Sequence, residues 1–194
     1  REMYECYSDL SVLDSLEQYW SNYNKKSGSG DFDYSSLIAF IEGLNAQRSS
    51  ESRSYLEKTV QMDSFLTYMA VRALLSNKDD YRKNLFLYQN ESGKWELFPH
   101  DWDLTWGHAW DPEEDLLNRN FTVTMQSLDV LSNRLMMVVQ YEPTLRAEFY
   151  QKLKTAIADV FREDIWFPVI DELYQSIRQA VYEDGEKWET NEEF

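Results

Sequence analysis

Leu75-Ser76-Asn77-Lys78-Asp79-Asp80-Tyr81-Arg82-Lys83-Asn84-Leu85-Phe86-Leu87-Tyr88, then Gly93-Lys94-Trp95-Glu96-Leu97-Phe98-Pro99-His100-Asp101-Trp102-Asp103, is the stretch that decides how this chain is read. Ahead of it, Phe65, Leu66, Met69, Ala70, Ala73 and Leu74 recur with the spacing of an amphipathic helix, predicting a central buried helix from Asp63. Asn77-Lys78-Asp79-Asp80 should end that helix, because their short polar side chains compete for nearby backbone groups and favour a turn. Residues 84–88 and 94–98 then read as two short strands joined through Asn90-Glu91-Ser92-Gly93, a β-hairpin. The first of these strands is apolar on both faces and is expected to be sandwiched.

Upstream, Leu10, Leu13, Leu16, Trp20 and Tyr23 fall at helical intervals and predict a helix over 10–23. Lys25-Lys26-Ser27-Gly28-Ser29-Gly30 reads as a flexible break after it. Asp33 is placed to cap a helix carrying Leu37, Ile38, Phe40, Ile41 and Leu44, with a polar loop over 47–53 beyond. Downstream lie an irregular acidic stretch over 110–120 and helical patterns over 128–139, 145–161 and 166–182. The expected fold class is therefore mainly α with a small β-hairpin, one compact domain laid out as a helical lead-in (1–62), a core (63–182) and an acidic tail (183–194).

The formal net charge of -16, from 35 acidic and 19 basic residues, would repel a phosphate backbone and argues against nucleic-acid binding. Cys6 is a single cysteine, so neither a disulfide framework nor a cysteine-based zinc site can form within the chain. His100 and His108 are the two histidines, and without a partnered Ser or Cys arrangement they do not suggest a nucleophilic triad. No run of about 18 apolar residues is present, so no membrane-spanning helix is expected. The opening at Arg1 reads as mid-sequence material, the expectation being a piece of a longer protein.

The chemistry is concentrated in the stretch quoted first. Phosphoryl transfer asks a protein to position the acceptor hydroxyl and to hold divalent ions against the phosphates, and hard oxygen ligands serve both needs. An Asp followed shortly by an Asn, then a hairpin that returns another Asp, supplies those parts. Asp79 could orient or deprotonate the acceptor, while Asn84 and Asp101 hold metal. If the segment after the hairpin is extended, Asp101 and Asp103 share a side. Lys58, Lys78, Arg82 and Lys83 are candidate phosphate contacts. The plainer alternative makes Asp79 and Asn84 the cap of the helix and the start of the hairpin, and makes Asp101 and Asp103 a solvated strand end. Trp95, Phe98, Pro99, Trp102 and Trp106 around the latter pair argue against full exposure.

The same block, through Asp101-Trp102-Asp103-Leu104-Thr105-Trp106-Gly107, resembles the signature of the CotH kinase family of spore-coat-protein-H-like atypical kinases. That resemblance implies the helical C-terminal lobe of a diverged protein-kinase-like fold. It also implies ATP with Mg2+ or Mn2+, a Ser/Thr hydroxyl on a protein as acceptor, and a secreted, cell-surface or spore-coat setting. By position, Asp79 matches the catalytic-loop Asp, Asn84 the metal-binding Asn, Asp101 the first residue of the Asp-Phe-Gly motif and Asp103 the second acidic residue. Lys78, Lys83 and Asn84 are the candidate cofactor-binding residues, although neither lysine matches the family's small-lobe lysine by context. Two departures stand out. His100 occupies the place where the family usually carries Trp, and no phosphate-covering glycine loop with its lysine is visible before Asp63. The alternative class is a non-catalytic metal-binding or coat-assembly module. A phosphohydrolase is disfavoured because such sites usually recruit several histidines.

Overall fold

A computed structural model describes residues 1–48, 52–77, 79–80, 82–106 and 133–184. The chain divides into two units, Arg1–Leu153 and Lys154–Phe194, where the sequence reading expected one.

In the first unit the hairpin forms: β3 (Leu85–Gln89) and β4 (Trp95–Pro99) run antiparallel, with Leu85 opposite Pro99 and Gln89 opposite Trp95. Asn90 builds the turn, its Oδ1 accepting from the N–H groups of Ser92 and Lys94. Gly93 takes φ +80°, a conformation that a side chain resists.

The sheet is larger than that hairpin. β1 (Glu2–Cys6) pairs with β3, and β2 (Tyr23–Ser27) pairs with β1, giving the order β2-β1-β3-β4 with all neighbours antiparallel. Residues 1–62 are thus not a helical lead-in alone, and 25–30 is not simply a flexible break. The strand pattern of β2 is hidden by Lys25, which occupies an inward position opposite Tyr4. Its amine reaches the Glu2 carboxylate and the carbonyls of Ser29 and Asp33, and lies 5.5 Å from the Tyr4 ring centre. With partners on every side, a lysine can face a core at little cost. Interior position gives β3 both of its neighbours; Leu85 and Leu87 are buried on one face, while Phe86 and Tyr88 stay half-buried on the other.

Helices cover the inner face of this sheet. α1 (Leu16–Asn22) is shorter than the 10–23 expectation: Ser15 caps its start, and the buried Leu10 sits in a loop at φ +64°. The pairing of Tyr23 with Cys6 ends it. α2 (Ser35–Ala46) buries Leu37, Phe40, Ile41 and Leu44, with Asp33 accepting from the Ser35 N–H just outside the cap. α3 (Arg53–Thr59) follows the polar loop. α4 (Met62–Leu74) is the expected central helix; besides its apolar stripe it buries Tyr68 and Arg72. α5 (Arg134–Tyr141) is capped by Asn133, whose Oδ1 accepts from Leu135 and Met136. α6 (Pro143–Asp159) buries Leu145 and Phe149 in this unit.

The second unit holds the end of α6 and α7 (Glu163–Glu183), which buries no side chain; Phe167, Ile170, Leu173 and Ile177 are exposed along it. Residues 110–120, the start of the 128–139 helix and the tail beyond 184 lie outside the described residues.

Candidate functional site

The site is built where α4 ends. Ser76 at φ +55° reverses the chain, and the Asn77 N–H donates back to the Arg72 carbonyl at 3.1 Å. Asn77 in turn accepts the Asp79 N–H on its Oδ1 at 2.8 Å, which fixes the backbone of Asp79. The Asp79 carboxylate then accepts from Asn84 Nδ2 at 2.7 Å and from Lys83 Nζ at 3.0 Å, both on Oδ2. A carboxylate only accepts, so Asn84 must turn its amide N–H group toward Asp79, leaving its amide oxygen for another partner.

The hairpin supplies the second half. The His100 N–H donates to the Asn84 carbonyl at 3.0 Å, so Asp101 is held one residue from the backbone that carries Asn84. Asp101 is exposed and takes φ +52°, so the chain is not extended there. The alternation expected to put Asp101 and Asp103 on one side therefore does not apply. The Asp101 carboxylate has no hydrogen bond or ion pair among the described residues. Asp103 is occupied locally, its Oδ1 accepting from the Leu104 N–H at 2.9 Å. The Trp106 N–H, at φ +60°, closes onto the Leu75 carbonyl at 2.6 Å and ties this segment back to the end of α4. Ser76, Asn84, Asp101 and Trp106 all hold left-handed backbone without being glycine, a strained state that collects at functional sites.

Beside Asp79 lies a pocket of about 270 Å³ lined by Tyr7, Asp79, Arg82 and Lys83. On the outer face of the sheet, Phe86 packs on the His100 ring with centres 4.8 Å apart, and Tyr88 on Phe98 at 5.9 Å. Glu5 shares that face, its carboxyl held below the ordinary range by Lys26 and Tyr7. Among the described residues no three acidic, His or Cys side chains gather closely enough to hold a metal by themselves. Asn84, through its amide oxygen, and Asp101, through its unbonded carboxylate, are the residues that could contribute oxygen to an ion.

A family model described as "CotH kinase protein" matches residues 2–194. The chain belongs to the CotH family. It is 28% identical over 193 residues to the inner spore coat protein H of Bacillus subtilis (strain 168), an overlap of 96% of this chain and 51% of that protein. It thus spans about half the length of that curated relative.

In this CotH chain the structure brings Asp79, Lys83 and Asn84 into direct contact, and His100, the residue before Asp101, is bonded to the Asn84 carbonyl. Asp103 instead caps its own turn. Lys78, Gly107 and His108 lie outside the described residues. Sequence reasoning passed over Tyr68, Arg72 and Asp80: the Asp80 carboxylate accepts from the Tyr68 hydroxyl at 2.6 Å and from Arg72 Nε, all three side chains being buried. A tyrosine and an arginine one turn apart, on the face of a helix otherwise lined by apolar residues, was the available signal. Burial pushes the Asp80 carboxyl above its ordinary value, against the pull of Arg72 and Tyr68. Among the described residues no helix is long and apolar enough to cross a membrane.

Proposed function

We propose that this chain is the catalytic-site portion of a kinase-like phosphotransferase that moves phosphate from ATP to a Ser or Thr hydroxyl of a spore-coat or other exported protein. The reading includes a helical lobe of protein-kinase type built around α4 and the hairpin. It is supported above all by the two bonds made by Asn84: its side chain donates to Asp79, and its carbonyl accepts from the residue that precedes Asp101. Catalysis of this kind is mainly positioning and charge stabilisation, so a fixed Asp–Asn–Asp arrangement is the part that the protein must supply.

Each residue has a role in that reading. Asp79, half-buried and beside the pocket, orients the acceptor hydroxyl and takes its proton. Asn84 and Asp101 would hold Mg2+ or Mn2+, whose charge would offset that of the nucleotide phosphates. Asp103 stands as a further candidate ligand. Lys83, and Lys78 by its sequence position, supply cationic contacts to phosphate. Phe86, two residues from Asn84 on the outer sheet face, offers an aromatic surface on which a nucleobase can stack.

The test uses full-length protein. Mg2+ with ATP is expected to raise Tm, and Asp101→Ala to abolish the rise. Asp79→Ala should keep the rise and lose transfer of labelled phosphate to a serine-rich acceptor. Equal Tm shifts in parent and Asp101→Ala would overturn this reading, and metal stabilisation without any transfer by the parent would favour a non-catalytic metal-binding coat module instead.

A further inference from the structure

Asp80 follows the proposed catalytic residue directly, yet its side chain goes the other way, into the protein. It meets the Tyr68 hydroxyl at 2.6 Å and Arg72 Nε, two groups one turn apart on α4. Arg72 and Asp80 are both 0% exposed. Among the described residues, the two Nη groups of Arg72 and the Asn77 Nδ2 are buried without an acceptor. A buried guanidinium left with a single carboxylate is a poor way to gain stability, since hydrophobic side chains of similar size usually do as well. Such groups are better understood by what they fix in place.

Tyr68 also packs edge-on against Trp102, with ring centres 5.3 Å apart. Trp102 lies between Asp101 and Asp103. One side chain of α4 therefore touches both halves of the site: its hydroxyl holds the loop of Asp79 through Asp80, and its ring holds the segment of Asp101 through Trp102. No other contact described above joins the two halves through a side chain of α4.

We propose that Tyr68, with Asp80 and Arg72, is a positioning joint that sets the spacing between the Asp79 and Asp101 carboxylates. The inference rests on the phosphotransferase reading, since it assigns that spacing to catalysis. None of the three residues touches substrate. Arg72 anchors Asp80, Asp80 restrains the peptide of Asp79, and the Tyr68 ring restrains Trp102.

The two functions of Tyr68 can be separated in full-length protein. Tyr68→Phe keeps the ring on Trp102 and drops the hydroxyl that holds Asp80. It should lower kcat by about 10- to 100-fold, the cost of a small misplacement of a reacting group, while KM for ATP and the Mg2+–ATP Tm rise stay as in the parent. Tyr68→Leu removes both contacts and should weaken the Tm rise as well. Amide hydrogen exchange supplies a readout independent of activity: in Tyr68→Phe, peptides containing Asp79 should exchange at least about threefold faster than in the parent, and peptides of β3 and β4 unchanged. Unaltered kcat and unaltered exchange around Asp79 in Tyr68→Phe would overturn the joint while leaving the phosphotransferase reading intact. Absence of transfer by the parent would overturn that reading, and exchange alone would then decide whether Tyr68 orders the loop. Faster exchange throughout the chain would mean that Tyr68 serves only global stability, and that outcome also overturns the proposal.

Discussion

Removing the Asn84 side chain should cost more than its exposure suggests, because two separate terms meet there. The first is the hydrogen bond from Nδ2 to the Asp79 carboxylate at 2.7 Å, a half-buried bond to a charged acceptor worth about 1.5 kcal/mol. The second is backbone: Asn84 sits at φ +58°, which asparagine tolerates and alanine resists by about 1 kcal/mol. Asn84→Ala should therefore lose about 2.5 kcal/mol. Asp79→Ala loses the same bond together with the exposed Lys83 pair at 3.0 Å, which adds at most about 0.5 kcal/mol, for a total of about 2. The bond is counted in both single variants but can be lost only once. The double variant should thus fall short of the sum by about 1.5 kcal/mol. Urea unfolding followed by tryptophan fluorescence at constant slope measures all four species. A coupling below about 0.4 kcal/mol would show that Asn84 and Asp79 are neighbours without a working bond, and the construction of the site would fail with it.

Two further outcomes follow from the packing. Burial works against ionising Glu2, but hydrogen bonds from Ser36 and Tyr4 and the charge of Lys25 outweigh it and hold the carboxyl below its ordinary 4.5. A carboxylate with a lowered folded value stabilises the protein above its unfolded value and loses that contribution as pH falls through the folded one. Glu2→Gln should therefore lower stability at neutral pH and flatten the decline below pH 4.5; an unchanged pH slope in urea titrations would contradict this. Gly43 lies inside α2 against Tyr55, whose ring carbons would be 2.7 Å from an added Cβ. Gly43→Ala should lower Tm, at a cost of about 1–3 kcal/mol, even though alanine favours helix by about 1 kcal/mol, and a rise in Tm would refute the close approach.

The elements legible in the sequence are those whose signal is local. α4, α6 and α7 announce themselves by apolar side chains at helical spacing, and the hairpin by two short apolar runs around Asn90 and Gly93. The candidate site residues stand out in the sequence for a related reason. Asp79, Asn84 and Asp101 lie close in sequence, separated by a hairpin whose register is set by the turn at Asn90 and Gly93.

What the tertiary structure alone decided is everything that depends on distant pairing. β1 joins β3 from the far end of the unit, and β2 contains Lys25 at an inward position that becomes tolerable only once Glu2, Ser29 and Asp33 surround its amine. The left-handed backbone at Asp101, which aspartate tolerates better than most residues, is likewise held by the closure of the hairpin and the tie from Trp106 to Leu75. Side-chain periodicity is written in neighbours along the chain. A buried charge or a strained backbone is held by partners far along it, so the sequence names the groups while folding determines which of them meet.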